Sequence, residues 1–308
     1  MTKVAFCFPG QGSQEVGMGE AVAARFPAAR AIYDEASEAA GFDVARVCFE
    51  GPIEELTRTE VQQPALVATS LACLRAVESL GVAADFVVGH SVGEYSALAG
   101  AGALSTRETL RLVHARGQAT ADAARDHPGA MAAVLGLEDA AVEELCAGIE
   151  GVWPANYNCP GQIVVSGEDA AVDRLVAAAT ERGARRVVKL RITGAFHSPL
   201  VGLAAERLRP VLEQAAWREP SVPFMSTTTG KIEPPNRFAE LLVAQLTGPV
   251  KFTQAVRGLL EAGVGLFVEV GPGTVLSGLL RRCERSIRAV SVGTPEDLGK
   301  LAQELSLV

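Results

Sequence analysis

Residues Gly89-His90-Ser91-Val92-Gly93 follow a strand-like run, Asp85-Phe86-Val87-Val88, and precede a stretch with helical patterning. A strand, a sharp turn and a helix in that order form the nucleophile-elbow arrangement, with Ser91 at the apex. Glycine on both sides lets the chain turn tightly, which holds the serine strained with its hydroxyl above the sheet edge. The helix beginning near Val92 then aims backbone N–H groups and the positive end of its dipole at the same point.

An elbow of this kind needs a buried sheet around it. With 48% hydrophobic but only 5% aromatic residues in 308, the core is built from Ala, Val and Leu, which suits a buried parallel sheet in an α/β protein. A strand is expected over 3–8, followed by the Gly10-Gln11-Gly12 loop, helical patterns to about residue 40, and a long apolar helix over 63–80. Helices follow the elbow to about residue 126. The next segment reads as strand 130–135, helix 139–149, strands 152–156 and 162–166 joined by Cys159-Pro160-Gly161, helix 170–182 and strand 186–191. That βαββαβ order is the ferredoxin-like plan. The α/β pattern resumes with strand 265–270, helix 274–285 and strand 287–292, whereas the proline-rich 220–235 reads as a turn-laden loop. The expected architecture is an α/β-hydrolase-like large domain with a parallel sheet, residues 1–127 and 193–308, carrying an inserted small ferredoxin-like domain, residues 128–192.

Several function classes are excluded on bulk properties. The formal net charge of −8 argues against nucleic acid as the main partner. No apolar run is long enough to span a membrane, and the N-terminus lacks a signal peptide's apolar region, so a cytoplasmic enzyme is expected. The cysteines (Cys7, Cys48, Cys73, Cys146, Cys159, Cys283) are scattered without a C-x-x-C pair, so buried reduced thiols are expected rather than a metal site.

A serine nucleophile needs a base, and the chain has four histidines. His90 neighbours the serine, but adjacent side chains at an elbow diverge. His114 lies mid-helix and His127 at the domain boundary. His197, in the small-residue loop Thr193-Gly194-Ala195-Phe196-His197-Ser198-Pro199, is placed to return over the elbow; a surface or structural histidine is the competing reading. No Asp or Glu stands out as its orienter, so the third member is unassigned, and a backbone carbonyl is able to fill that role. The N–H of Gln11, in its glycine-rich loop, and that of Val92 are candidates for a two-donor oxyanion hole. A phosphate-binding role for the same loop lacks the Lys-Ser/Thr of a P-loop. Arg116 is either a solvated helix-face charge or a guanidinium that grips a substrate carboxylate.

Together these pieces resemble the malonyl-CoA:acyl-carrier-protein transacylase family over nearly the whole chain. The resemblance rests on Phe8-Pro9-Gly10-Gln11-Gly12-Ser13-Gln14, Gln62-Gln63-Pro64-Ala65-Leu66, Gly89-His90-Ser91-Val92-Gly93-Glu94-Tyr95 and Arg116-Gly117. Asn158-Cys159-Pro160-Gly161-Gln162, Phe196-His197-Ser198, Gln245-Leu246-Thr247-Gly248-Pro249-Val250 and Glu269-Val270-Gly271-Pro272-Gly273 complete it. The resemblance implies that Ser91 attacks a malonyl thioester, His197 takes its proton, the N–H groups of Gln11 and Val92 hold the oxyanion, and Arg116 holds the free carboxylate. Gln63, Phe196, Asn158 and Gly248 are carried over as residues around the substrate, and the histidine-orienting carbonyl as one from Thr247-Gly248-Pro249. Malonyl-CoA and an acyl carrier protein are the implied partners, with no resident cofactor or metal, and relatives imply a monomer. Thr120 departs from the family, which often has Met there. Phe196 and Val92 resemble the malonyl-selective pattern, since a bulky ring fills the space an α-methyl group needs.

Two alternatives carry different functions: an acyl-thioester hydrolase clearing carrier proteins, and a catalytically silent scaffold. Arg116 counts against the first, because simple acyl chains need no carboxylate clamp. Intact Ser91, His197 and Arg116 count against the second. Two basic clusters, Arg185-Arg186-Lys189-Arg191 and Arg281-Arg282-Arg285-Arg288, are either solvated faces or docking sites for an acidic carrier.

Overall fold

The computed structural model describes residues 2–190, 192 and 194–305. Arg191, expected to close a strand and to join a basic cluster, lies outside these residues, as does Thr193. Along the chain the strands are β1 (Lys3–Phe8), β2 (Phe86–Gly89), β3 (Ala130–Leu135), β4 (Val152–Cys159), β5 (Gln162–Gly167), β6 (Arg186–Lys189), β7 (Phe224–Ser226), β8 (Lys231–Ile232), β9 (Val264–Val270) and β10 (Arg288–Val292).

The larger sheet runs β10-β9-β1-β2-β7-β8, and every pairing in it is parallel except β7 with β8. Its central strands are apolar on both faces: β2 is wholly buried, and β1 and β9 nearly so. Helices on both sides explain that pattern. The helix Thr59–Glu78 is buried without a break from Val61 to Leu74, which makes it an internal element rather than a surface one. It begins at Thr59, ahead of the expected residue 63, so Gln62 and Gln63 are helical and fixed in place. The expected loop 220–235 contains β7, all of whose residues are buried as it extends the sheet beside β2. Two apolar residues between proline-rich flanks carry no periodicity, and only the exposed edge of β2 turns them into a strand.

The smaller sheet is antiparallel, in the order β4-β5-β3-β6. Its side chains alternate as strand geometry requires. Ala132, Val134, Ile163 and Val165 pack with the helices Asp139–Gly148 and Asp169–Glu181 into one apolar cluster. Met131, Ala133 and Val164 join the main core instead, on the opposite face. Main-chain hydrogen bonds stitch β4 to the larger body: the Tyr157 N–H donates to the Val250 carbonyl at 2.8 Å, and the Val250 N–H to the Ala155 carbonyl at 2.8 Å.

The elbow follows from β2 entering the helix Gly93–Gly100 through His90, Ser91 and Val92. A Cβ at Gly89 would run into the backbone of Gly93 and Glu94, and one at Gly93 would run into the Phe8 carbonyl of β1. The turn therefore packs directly on the neighbouring strand, and only glycine fits. Gly93→Ala is expected to destabilise the fold by about 2 kcal/mol or more, because the obstacle is backbone that cannot move aside. Urea unfolding checks this, and an unchanged midpoint would show that the elbow can shift off β1.

Candidate active site

Above the elbow lies a cleft of about 870 Å³. Its walls come from the Gly10–Gln14 loop, the start of the long helix, the elbow, the inner face of the smaller sheet and the loop carrying Phe196 and His197. Ser91 has φ 53° and His197 has φ 59°, and they are the only non-glycine residues with positive φ among those described. Such conformations cost an ordinary residue about 1–3 kcal/mol and persist where surrounding structure holds them. Here both strained backbones point their side chains at one another. Ser91 Oγ lies 2.8 Å from His197 Nε2, with the two residues 5% and 6% exposed.

His197 Nδ1 lies 2.8 Å from the backbone carbonyl of Gln245. The expected source was the 247–249 segment; the 2.8 Å partner is Gln245, in the last turn of the helix Phe238–Thr247, and the backbone of Gly248, which caps that helix, makes a weaker contribution to the same histidine. Carbonyls of a last turn have no partner within the helix, so one is free to accept. A carbonyl accepts only, so the proton resides on Nδ1 and the Nε2 lone pair faces the serine hydroxyl. Burial first, and then the nearby Arg116 charge, push the His197 pKa down to about 3, against the pull of the Gln245 carbonyl. The resting imidazole is thus neutral, and its Nε2 lone pair is available to the serine hydroxyl.

Arg116 is 2% exposed in the helix Thr106–Asp126. It donates from Nη1 to Gln63 Oε1 at 2.6 Å, and from Nη2 to Gln245 Oε1 at 3.0 Å and Ser91 Oγ at 3.3 Å. Its Cζ lies 5.8 Å from the centre of the Tyr95 ring, and its Nε has no hydrogen-bond partner among the described residues. None of the ion pairs among these residues includes it. Thr120, the family departure, holds Gln63: its hydroxyl accepts from Gln63 Nε2 at 2.9 Å and donates to the Arg116 carbonyl at 2.8 Å.

The remaining expected residues fall around the cleft. The backbone N–H groups of Gln11 and Val92 make no hydrogen bond among the described residues, and the Gln11 side chain is tied by Nε2 to Gln62 Oε1 at 2.6 Å. His90 diverges from the serine: its Nε2 lies 2.9 Å from Asn158 Oδ1, so this pair lines the wall rather than the reacting centre. Phe196 is 6% exposed on the same wall. His127 caps the helix Thr106–Asp126, and His114 is half-buried away from the cleft lining. The cysteines are free, with Cys283 half-buried and the others buried. No described helix is long and apolar enough to cross a membrane.

Sequence reasoning missed the Gln245 side chain and Glu94. Glu94 is fully buried, and burial raises its pKa to about 7 against hydrogen bonds from Thr227, Gln245 and Ser226. Both carried a signal, since each is a long polar side chain set among the buried residues of its helix, Phe238–Thr247 and Gly93–Gly100.

A serine on a strand–turn–helix elbow, paired with a histidine over a largely parallel sheet, is the layout of enzymes that work through an acyl-serine ester. The chain belongs to the acyl transferase family: the family's acyl transferase domain matches residues 5–305. It is 41% identical over 310 aligned positions to the malonyl CoA-acyl carrier protein transacylase of Bacillus subtilis (strain 168), covering 99% of this chain and 98% of that protein. The acyl-carrier-protein S-malonyltransferase of Bartonella henselae superposes with a TM-score of 0.95 at 40% identity, covering 99% of each chain. A malonyl-transacylase solved in complex with its type II PKS acyl-carrier protein superposes with a TM-score of 0.95 at 36% identity, over 98% of this chain and 100% of that one.

Neutral His197 has a testable signature. Phosphonylation of Ser91 by a neutral organofluorophosphonate is expected to stay within about twofold from pH 8 to pH 5, because the base is still unprotonated there. A loss centred near pH 6.5 would show an imidazole with an ordinary pKa. Stability moves the other way round the same shift. An unfolded histidine binds its proton at about pH 6.5, so this contribution is present above that pH and is lost as pH falls toward 3.

Proposed function

We propose that this chain transfers a malonyl group from malonyl-CoA to the phosphopantetheine thiol of an acyl carrier protein, through an ester on Ser91. The observation that carries this reading is the buried guanidinium of Arg116, which stands 3.3 Å from the serine hydroxyl without a carboxylate partner among the described residues. A buried, unpaired charge is costly, and a substrate carboxylate relieves that cost while positioning its own acyl carbon over the nucleophile. An acyl chain without a carboxylate gains nothing from this arrangement, which counts against the hydrolase alternative.

In the first half-reaction Ser91 Oγ attacks the thioester carbonyl as its proton passes to His197 Nε2. The N–H groups of Gln11 and Val92 receive the oxyanion. Collapse breaks the carbon–sulfur bond, and the CoA sulfur leaves with the proton from His197. In the second half-reaction the carrier thiol gives its proton to Nε2 and attacks the ester. Ser91 Oγ then leaves and regains its proton. Gln63 and Gln245 hold Arg116, while Phe196 and Asn158 form the walls along the acyl group and pantetheine. No resident metal or cofactor takes part in this scheme, and the fatty-acid and polyketide pathways use the same chemistry.

At a finer level the fold reads as an α/β-hydrolase-like unit, residues 1–127 with 193–308, and a ferredoxin-like unit, residues 128–192, supported by the β4-β5-β3-β6 order and its intervening helices. A cytoplasmic, monomeric enzyme is part of the proposal. Of the two basic clusters, the one containing Arg282 is favoured for carrier docking. Arg282 donates to Gln162, which lines the cleft, whereas Lys189 of the other is engaged by Asp169 and Asp173 at 2.9 and 2.6 Å.

Brief mixing with malonyl-CoA should add one malonyl mass to the protein and none to Ser91→Ala. CoA release without an adduct would indicate rapid hydrolysis instead. Arg116→Ala is expected to lose about 100-fold or more in malonyl transfer and far less in acetyl transfer, since only malonyl presents a carboxylate. Equal losses would remove the carboxylate role. Arg282→Glu should raise the carrier KM at low salt, and an unchanged KM would place docking elsewhere.

A further inference from the structure

Gln245 touches every member of the constellation. Its backbone carbonyl accepts from His197, its Oε1 accepts from Arg116, and its Nε2 donates to the Ser91 carbonyl at 3.1 Å and to Glu94 Oε2 at 2.5 Å. The amide cannot be turned round. Arg116 only donates, and the Ser91 carbonyl only accepts, so each end of the amide has one permitted neighbour. Behind it, Glu94 Oε1 accepts from the Thr227 N–H at 2.5 Å, the Thr227 hydroxyl at 2.9 Å and the Ser226 hydroxyl at 3.2 Å. Glu94 is thereby anchored to the end of β7.

We infer that Glu94 is a positioning residue for the substrate carboxylate, acting on Arg116 through the Gln245 side-chain amide. The inference rests on the carboxylate-binding reading of Arg116. Glu94 is a buried carboxylate one amide away from a buried guanidinium. A direct ion pair between them would occupy the cation and compete with the substrate. With Gln245 interposed, the Glu94 carboxyl fixes which way the amide faces, so that its Oε1 meets Arg116 and Nη2 is aligned beside Ser91. The guanidinium stays aligned and charged, and its substrate-facing side stays unpaired. Thr120 does the corresponding job at the other end, fixing Gln63 so that its oxygen meets Nη1.

Glu94→Gln keeps the shape and removes the logic of the acceptors. Its new amide must set an N–H either against Gln245 Nε2 or against the Thr227 N–H, and two donors then face each other. Initial rates with malonyl-CoA and acetyl-CoA, on protein shown to be folded by its thermal melt, test the inference. Malonyl kcat/KM is expected to fall at least about tenfold, mostly through KM, with a much smaller fall for acetyl. A purely structural role would reduce both substrates in parallel, and that result, or an unchanged malonyl preference, would overturn the inference. If Glu94→Gln does not fold, Gln245→Met carries the test, since it retains the carbonyl facing His197 but has no amide to relay. Where both fold, the double variant should lose little more selectivity than either single one, and additive losses would refute the relay. Arg116→Ala run alongside separates the two failures. Should it keep the malonyl preference, the clamp itself is wrong. Should it lose the preference while Glu94→Gln keeps it, only the role of Glu94 falls.

Discussion

A guanidinium taken out of water, with no carboxylate partner among the described residues, governs the arrangement of this active centre. Arg116 is 2% exposed, and its terminal nitrogens meet only amide oxygens and a serine hydroxyl. Amide oxygens neutralise none of the charge, so the desolvation cost is only partly offset until an anion arrives. That incomplete compensation is a sensible way to hold a binding site open, since affinity for the substrate comes from relief of a cost the folded protein already carries. It also accounts for the density of buried polar residues nearby. Gln63, Thr120, Gln245 and Glu94 are each buried, and each has its hydrogen-bonding direction set by a neighbour that only donates or only accepts.

The sheet makes this network possible by fixing where the serine stands. β2 lies inside the larger sheet, the elbow leaves it without room for a Cβ at Gly89 or Gly93, and the following helix brings Glu94 down to Thr227 at the end of β7. His197 arrives from a separate loop, with a backbone conformation as uncommon as that of Ser91. Neither local sequence stabilises such a φ, so the packing around both residues must supply that energy.

Much of this was legible before any coordinates. The elbow, the two-sided burial of the central strands and the βαββαβ order of 130–189 are patterns of local sequence, and they reappear in the structure. What sequence could not deliver depends on distant partners. β7 is a strand because β2 has a free edge, which Phe224 and Met225 do not announce. The carbonyl 2.8 Å from His197 belongs to Gln245, just ahead of the expected segment 247–249, because the end of a helix cannot be placed to one residue from its composition. The Gln245 side chain was visible as a polar residue between the buried Val243 and Leu246. Its three partners, Arg116, Ser91 and Glu94, lie more than a hundred residues away along the chain, and no spacing rule connects them to it.

The backbone at Ser91 also restricts which nucleophile this fold can use. At φ 53° a side chain branched at Cβ crowds its own carbonyl, so threonine, despite carrying the same hydroxyl, is poorly suited to this position. Cysteine is unbranched at Cβ and meets no such obstacle. An elbow of this geometry therefore allows a change from oxygen to sulfur chemistry by one substitution, while it disfavours the seemingly more conservative exchange of one alcohol for another.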